Sequence, residues 1–526
     1  MKYLFKELKH DLLKSIVIFF VAVSRCLSIA LASRATFFPG IISLTVQKQR
    51  TKTRKGRVGV RIGFITISLL LSFYQLSYGQ DSTKTFSQEN LFWYLVNYHP
   101  ISKQASIQIK KGENEVRKIK GQLDPSLFSN LNQKQFNQQE YYSLFSGGLR
   151  VPTWYAVDFK VGYEQNQGVN VNPENKTTAN GLFYAGFSVP IGQGLFIDKR
   201  RASIKQAELY AESTYLQQEL MLNTLYYDAT IKYIDWVNYF NQMKLYQNAL
   251  ALANDRFEGV KKSFVGGDVP AIDTLEAFIL VQVREVNLNQ AKLNYQNATL
   301  ELSNFLWFEN NTPLEITAQL TPPTIDQLPP HKSLTTDTLN SILNNLKITH
   351  PQLLWYDLKV QQLEVEQRWN QEQLKPTLNL KYNLLNEPIG GDAFSGFSPN
   401  NYTFGIDFSM PLFLRESRGR LNITKLNIQD TKLEVDLKYL ELSNKVTSYH
   451  NEILAVEQQI QLFNTIVLNY FNLLEAEKQK FFMGESSMFL INSREASYVQ
   501  AAIKLIELNI KYQSAIAEFK FATATW

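Results

Sequence analysis

The chain has 526 residues, of which 44% are apolar, 19% charged and 13% aromatic, with a formal charge of +6, a length that supports about three domains. The basic character is confined to residues 1–79, which hold 13 of the 54 Lys and Arg but only Glu7 and Asp11 of the 48 acids, so residues 80–526 carry a net charge of −5 and nucleic acid is excluded as the implied partner. The single cysteine, Cys26, also lies in that leader, which excludes disulfides, thiolate metal sites and a cysteine nucleophile from the remainder.

Residues 48–61 are rich in Lys and Arg, Ile62 to Leu76 is a short apolar run, and Ser77 and Gly79 are small residues at −3 and −1 of a cleavage site. This order predicts a secretory signal over residues 48–79. At about 15 residues the run is short for a membrane-spanning helix, which needs about 20, although a retained anchor is the alternative. No cysteine follows it, so lipid attachment at a new N-terminus is not predicted. Upstream, Ser15 to Leu31 is a second apolar stretch, interrupted by Arg25, and reads either as an anchor or as sequence ahead of a later start.

The remainder is a duplication. His99-Pro100 recurs as His350-Pro351 and Pro125-Ser126-Leu127 as Pro376-Thr377-Leu378, both at an offset of 251. Phe187-Ser188-Val189-Pro190 recurs as Phe408-Ser409-Met410-Pro411 at 221, and Trp307 recurs as Trp526 at 219. Residues 80–307 form the first repeat, 308–337 a proline-rich linker that cannot continue a helix, and 338–526 the second repeat. The first repeat is about 30 residues longer between its first proline and its Phe-Ser-x-Pro. Each repeat reads as helix, paired strands, very long helix, shorter helix.

Period-two alternation marks the strands. In the first repeat Val157, Phe159, Val161 and Tyr163 alternate with polar residues or glycine, and Phe183, Ala185, Phe187 and Val189 follow. In the second, Leu378, Leu380, Tyr382 and Leu384 precede a row of Tyr402, Phe404, Ile406, Phe408 and Met410. Aromatic-rich apolar rows in an exported chain suit lipid-facing strands of an outer-membrane barrel better than a soluble sandwich. About four such strands per chain are too few to close a barrel, whose smallest examples have eight, so closure requires several chains.

After the strands, Arg201 to about Phe264 and Arg420 to about Phe481 lack proline and predict helices roughly 95 Å long. In the following helix of the first repeat, Ile279, Val286, Leu293 and Leu300 form one seven-residue row, and Val281, Leu288, Tyr295 and Leu302 form another. The rows lie roughly 200° apart, so this helix needs a neighbour on each side, as a stave of a closed tube does.

The duplicated plan and the turns between antiparallel helices carry a resemblance. Phe264-Val265-Gly266-Gly267, followed by Asp273, and Phe481-Phe482-Met483-Gly484 both present an aromatic-x-x-Gly turn. In these features residues 86–526 resemble the TolC-like family of outer-membrane exit ducts. The resemblance implies an α+β membrane protein, a homotrimer whose twelve-stranded β-barrel in outer-membrane lipid of a Gram-negative bacterium continues as an α-helical barrel across the periplasm. It implies that the tips, Phe264, Gly266, Gly267, Phe481 and Gly484, meet a periplasmic adaptor protein joined to an inner-membrane transporter, and that the assembly exports small molecules or proteins. Gate candidates by the same resemblance are Asp273, Ser486, Leu490 and Ser493. Phe481 replaces the family's tyrosine and Ser486 its arginine, while Leu490 and Ser493 stand where some members carry aspartates. That leaves Leu490 to form a hydrophobic constriction.

A periplasmic coiled-coil scaffold is the alternative, and lipid-facing alternation speaks against it. An enzyme is not predicted, because no Gly-x-x-x-x-Gly-Lys-Ser/Thr, His-Glu-x-x-His or Gly-x-Ser-x-Gly occurs, and neither cofactor nor metal is expected. His99 and His350 precede prolines at helix starts rather than forming a metal pair.

Overall fold

A computed structural model describes residues 84–317, 319–328, 335–387 and 396–526; the predicted leader lies outside these residues. The first half runs β1 (Lys84–Thr85), α1 (Gln88–Tyr98), α2 (Pro100–Lys120), β2 (Ser126–Phe136), β3 (Gln139–Pro152), β4 (Asp158–Gln167), β5 (Leu182–Pro190), α3 (Lys199–Gly266) and α4 (Ala271–Ser303). Three two-residue strands follow: β6 (Trp307–Phe308), β7 (Thr312–Pro313) and β8 (Leu320–Thr321), the last pairing parallel with β1. The second half runs α5 (Thr336–Thr349), α6 (Pro351–Glu372), β9 (Thr377–Asn386), β10 (Tyr402–Ser409), α7 (Arg415–Phe482) and α8 (Met488–Thr523). Among the described residues no helix is long and apolar enough to cross a membrane.

The repeated His-Pro pairs start equivalent helices. His99 Nδ1 accepts the Ile101 N–H and His350 Nδ1 accepts the Gln352 N–H, each at 3.2 Å, so the imidazole caps the helix while proline fills its first position. An acceptor nitrogen must be unprotonated. Burial enforces that state, pushing both imidazoles from 6.5 down to about 4, and the Lys438 charge adds to the effect at His350.

α3 and α7 are each 68 residues, about 100 Å at the helical rise. Two rows of helices share them. At the end near the strands the order is α2, α3, α6, α7, and at the far end it is α4, α3, α8, α7. One apolar core forms around Trp236, which packs with Leu91, Leu95, Leu225 and Leu302 and whose Nε1–H donates to Thr299 Oγ1 at 3.0 Å. The proline-rich segment adds Leu314, Ile316, Ile325 and Leu328 to this core. A second core gathers Leu346, Val446, Ile453, Val456 and Tyr512 from α5, α7 and α8.

The strands form one antiparallel sheet in the order β10-β9-β5-β4-β3-β2. The sequence predicts about four strands, and this number is corrected to six. The additional pair, β2 and β3, occupies the extra length of the first repeat. Asn137 and Gln138 join them with φ of 52° and 61°, the left-handed pair that matches a hairpin turn to strand twist. Alternation alone does not mark these strands, because Ser129 interrupts Leu127 and Leu131 on β2 and Gly147-Gly148 interrupts β3. The second glycine is required by packing: a Cβ on Gly148 would meet the Val161 carbonyl oxygen at 2.4 Å.

Candidate functional site

Three surfaces carry the functional signal. The first is the sheet. Register places Tyr402, Phe404, Ile406 and Phe408 beside Leu384, Tyr382, Leu380 and Leu378, then Ala185, Phe187 and Val189, then Phe159 and Val161, all on one face. Phe404, Ile406 and Phe408 are 56%, 54% and 67% exposed. Met410, expected on the same strand, lies one residue beyond its end and is also exposed. The opposite face is polar: Lys381 pairs with Asp407 across β9 and β10, and Asp158 pairs with Arg150 and, at 2.8 Å, with Arg200. That last pair ties the sheet to the first turn of α3, whose N-terminus is capped by Asp198 accepting the Arg201 N–H at 2.9 Å.

The second surface is the edge of the helical rows. Of the two stripes expected on α4, Leu288 and Leu302 are buried, Val281 and Tyr295 are half-buried, and this side packs on α3. The other stripe, Ile279, Val286, Leu293 and Leu300, is exposed, with Val286 at 68%. α7 at the opposite edge also exposes an apolar row, Leu426, Leu433 and Leu440. Monomeric proteins rarely leave such continuous apolar stripes in water.

The third surface is the pair of tips. Gly267 and Gly484 have φ of +83° and +78° and end their helices identically. The Gly267 N–H donates to Phe264 O and the Asp268 N–H to Ser263 O, while the Gly484 N–H donates to Phe481 O and the Glu485 N–H to Lys480 O. This double bond pattern is the Schellman termination, which needs the left-handed residue glycine supplies. Val260, Ala277 and Met488 bury together, with Phe257, Val269 and Phe481 against them, so the two tips pack side by side. Val265 and Phe482 are left 83% and 86% exposed, and Phe264, Ile272, Leu275, Met483 and Phe489 are exposed as well.

A charged cluster joins the two hairpins above the tips. Glu495 on α8 is buried, pairs with Arg256 of α3 and lies 3.6 Å from Arg284 of α4. Arg256 Nη1 donates to Asn492 Oδ1 at 3.1 Å, and Asn492 Nδ2 donates to Glu276 Oε1 at 3.4 Å. A second cluster lies within the α7–α8 hairpin, where Glu477 accepts from the Ser486 hydroxyl and lies 3.7 Å from Arg494. Of the gate candidates only Ser486 enters such a cluster. Asp273 lies in the first turn of α4, its N–H donating to Pro270 O, while Leu490 and Ser493 are exposed on α8. Arg256, Arg284 and Glu495 were not singled out from sequence. Their signal is a charge interrupting an otherwise small and apolar buried row: Ala277, Arg284, Ala291 and Ala298 on α4, and Met488, Ile491, Glu495 and Val499 on α8. Among the described residues no group of three or more His, Cys, Asp or Glu comes together to hold a metal.

This fold is that of outer-membrane channel proteins of the TolC-like kind. The chain is similar to the CmeC outer-membrane channel of Campylobacter jejuni, at 15% identity over 85% of this chain and 90% of that one, with a TM-score of 0.56. It is similar to CusC, at 13% identity over 85% and 95% of the two chains, with a TM-score of 0.61. The open-state MtrE outer-membrane channel of Neisseria gonorrhoeae matches at 12% identity over 83% and 88%, with a TM-score of 0.60. No family model and no curated protein sequence matches the chain.

Proposed function

We propose that three copies of this chain form an exit duct of a Gram-negative outer membrane, through which an inner-membrane transporter and a periplasmic adaptor export small molecules or proteins. The unpartnered edge carries this reading. Among the described residues the exposed stripe from Ile279 to Leu300 on α4 has no neighbouring helix, and α7 at the opposite edge exposes Leu462, Leu468 and Phe471 in the same half of the helical layer and Leu426, Leu433 and Leu440 nearer the strands. Closing such edges on one another gives a tube of helices, and the same closure continues the apolar face of the sheet around a barrel in lipid. The fold shared with the channels CmeC, CusC and MtrE supports the reading. In it the tips at Phe264, Gly266, Gly267, Phe481 and Gly484 receive the adaptor on the bare backbone of the glycines and the exposed side chains of Phe264, Val265 and Phe482, and Asp273, Ser486, Leu490 and Ser493 stand at the gate. The buried Glu495 holds the two hairpins of each chain together through Arg256 and Arg284.

A coiled-coil scaffold without a pore makes the opposite electrical prediction. Purified protein added to planar lipid bilayers should give discrete conductance steps. Glu495→Gln, which leaves the buried Arg284 and the half-buried Arg256 without their counter-charge, should loosen the tips and enlarge the steps. Absence of steps with both proteins would overturn the duct.

A further inference from the structure

The β2–β3 hairpin makes this sheet wider than the four strands per chain that a twelve-stranded trimer requires. We propose that the hairpin belongs to the barrel wall, so that each chain contributes six strands and three chains close an eighteen-stranded barrel by pairing β2 with β10 of a second copy. The inference rests on the exit-duct reading.

Three features make the hairpin wall rather than flap. It is bonded along its length, since β3 is in register with β4 from Ser143↔Gln167 to Pro152↔Asp158. Its apolar residues fall on the same face as the rest: Phe145, Leu149 and Val151 lie beside Phe159 and Val161, and Leu127 and Leu131 extend that face to the edge, with Ser129 and Gly147 between them. Leu127 and Leu131 are exposed, as lipid-facing residues of a lone chain must be. The other face of the hairpin is mostly polar, with Ser126, Asn130, Asn132, Lys134, Ser146 and Arg150 beside Phe128, Tyr142 and Leu144, which suits a water-filled lumen. The turn between β3 and β4, at the helix end of the sheet, exposes Trp154 and Tyr155, residue types enriched in the interfacial girdle of such barrels.

Strand direction permits the closure. The chain enters the sheet from α2 and leaves it into α3 on the same side, so the first repeat must contribute an even number of strands, and adding a hairpin preserves this. In the six-strand antiparallel order the two outer strands, β2 and β10, run oppositely, so β10 of one copy meets β2 of the next antiparallel. Eighteen strands spaced about 4.8 Å and tilted about 40° close a ring about 110 Å around, against about 75 Å for twelve, so the lumen would be about 1.5-fold wider.

The only cysteine of the chain lies at position 26, so introduced thiols report cleanly. Gly405→Cys on β10, where a Cβ meets nothing within 4 Å, would be combined in turn with Phe128→Cys, Asn130→Cys and Asn132→Cys on β2, which spans the local registers. Parallel pairs would combine it with Lys160→Cys and Glu164→Cys on β4. Outer membranes are treated with a short thiol-specific crosslinker. The expected result is a covalent ladder ending at the trimer with β2 partners only. Crosslinking to β4 would place the hairpin outside a twelve-stranded wall and overturn the inference while leaving the duct. A β2 ladder ending at another number would overturn the eighteen-strand count. Membrane-inserted protein that crosslinks with neither strand would overturn both readings.

Discussion

At the scale of single residues, the two tip glycines combine a conformational requirement with free space. Their φ of +83° and +78° costs an L side chain about 1–2 kcal/mol, yet a Cβ at either position meets nothing within 4 Å. Gly267→Arg and Gly484→Arg should therefore fold and insert, while the bulk at the tip obstructs the adaptor. The expected outcome is normal membrane insertion with loss of adaptor crosslinking and of export; normal crosslinking and export with both arginines would remove the tip assignment. These glycines are legible in sequence because aromatic-x-x-Gly closes two long proline-free segments. The histidine caps are legible because His-Pro recurs. The Arg256–Glu495–Arg284 cluster is not, since its members are far apart in sequence and only the packing of α3, α4 and α8 brings them together.

At the scale of elements, the sheet separates two chemistries on neighbouring positions. Ile406 lies on the exposed apolar face, and Asp407 faces the other way, paired with Lys381. A lysine on a lipid-facing row near the bilayer midplane costs about 2–4 kcal/mol. Losing an exposed ion pair costs about 0–1 kcal/mol. Ile406→Lys should thus lower the amount of assembled outer-membrane protein and Asp407→Lys should not, as read by heat-modifiable mobility of membrane fractions. Equal behaviour of the two would refute the facing of β10. The four strands with unbroken apolar rows, β4, β5, β9 and β10, are readable from alternation. β2 and β3 are not, because serine and glycine occupy positions on the same face and the evidence for pairing resides in the partner strand. The long helices are readable from absence of proline, but which α4 stripe is internal is not: both rows are apolar, and only the position of α3 decides.

At the scale of the whole molecule, the described residues of a single chain leave both edges of the sheet and both edges of the helical layer without partners. The four exposed α4 side chains are about half to two-thirds accessible, so burying each is worth roughly 1–2 kcal/mol and the stripe supplies a substantial association energy, repeated at every interface. Val286→Glu with Leu293→Glu puts two charges into that seam while leaving the buried α4–α3 contacts at Leu288 and Leu302 in place. The most direct measurement is the mass of the detergent-solubilised protein by light scattering, corrected for bound detergent. The wild type should have the mass of three chains and the double variant that of one, with helical content retained by circular dichroism. A stable wild-type monomer, or a trimer that the two glutamates leave intact, would contradict the closed duct.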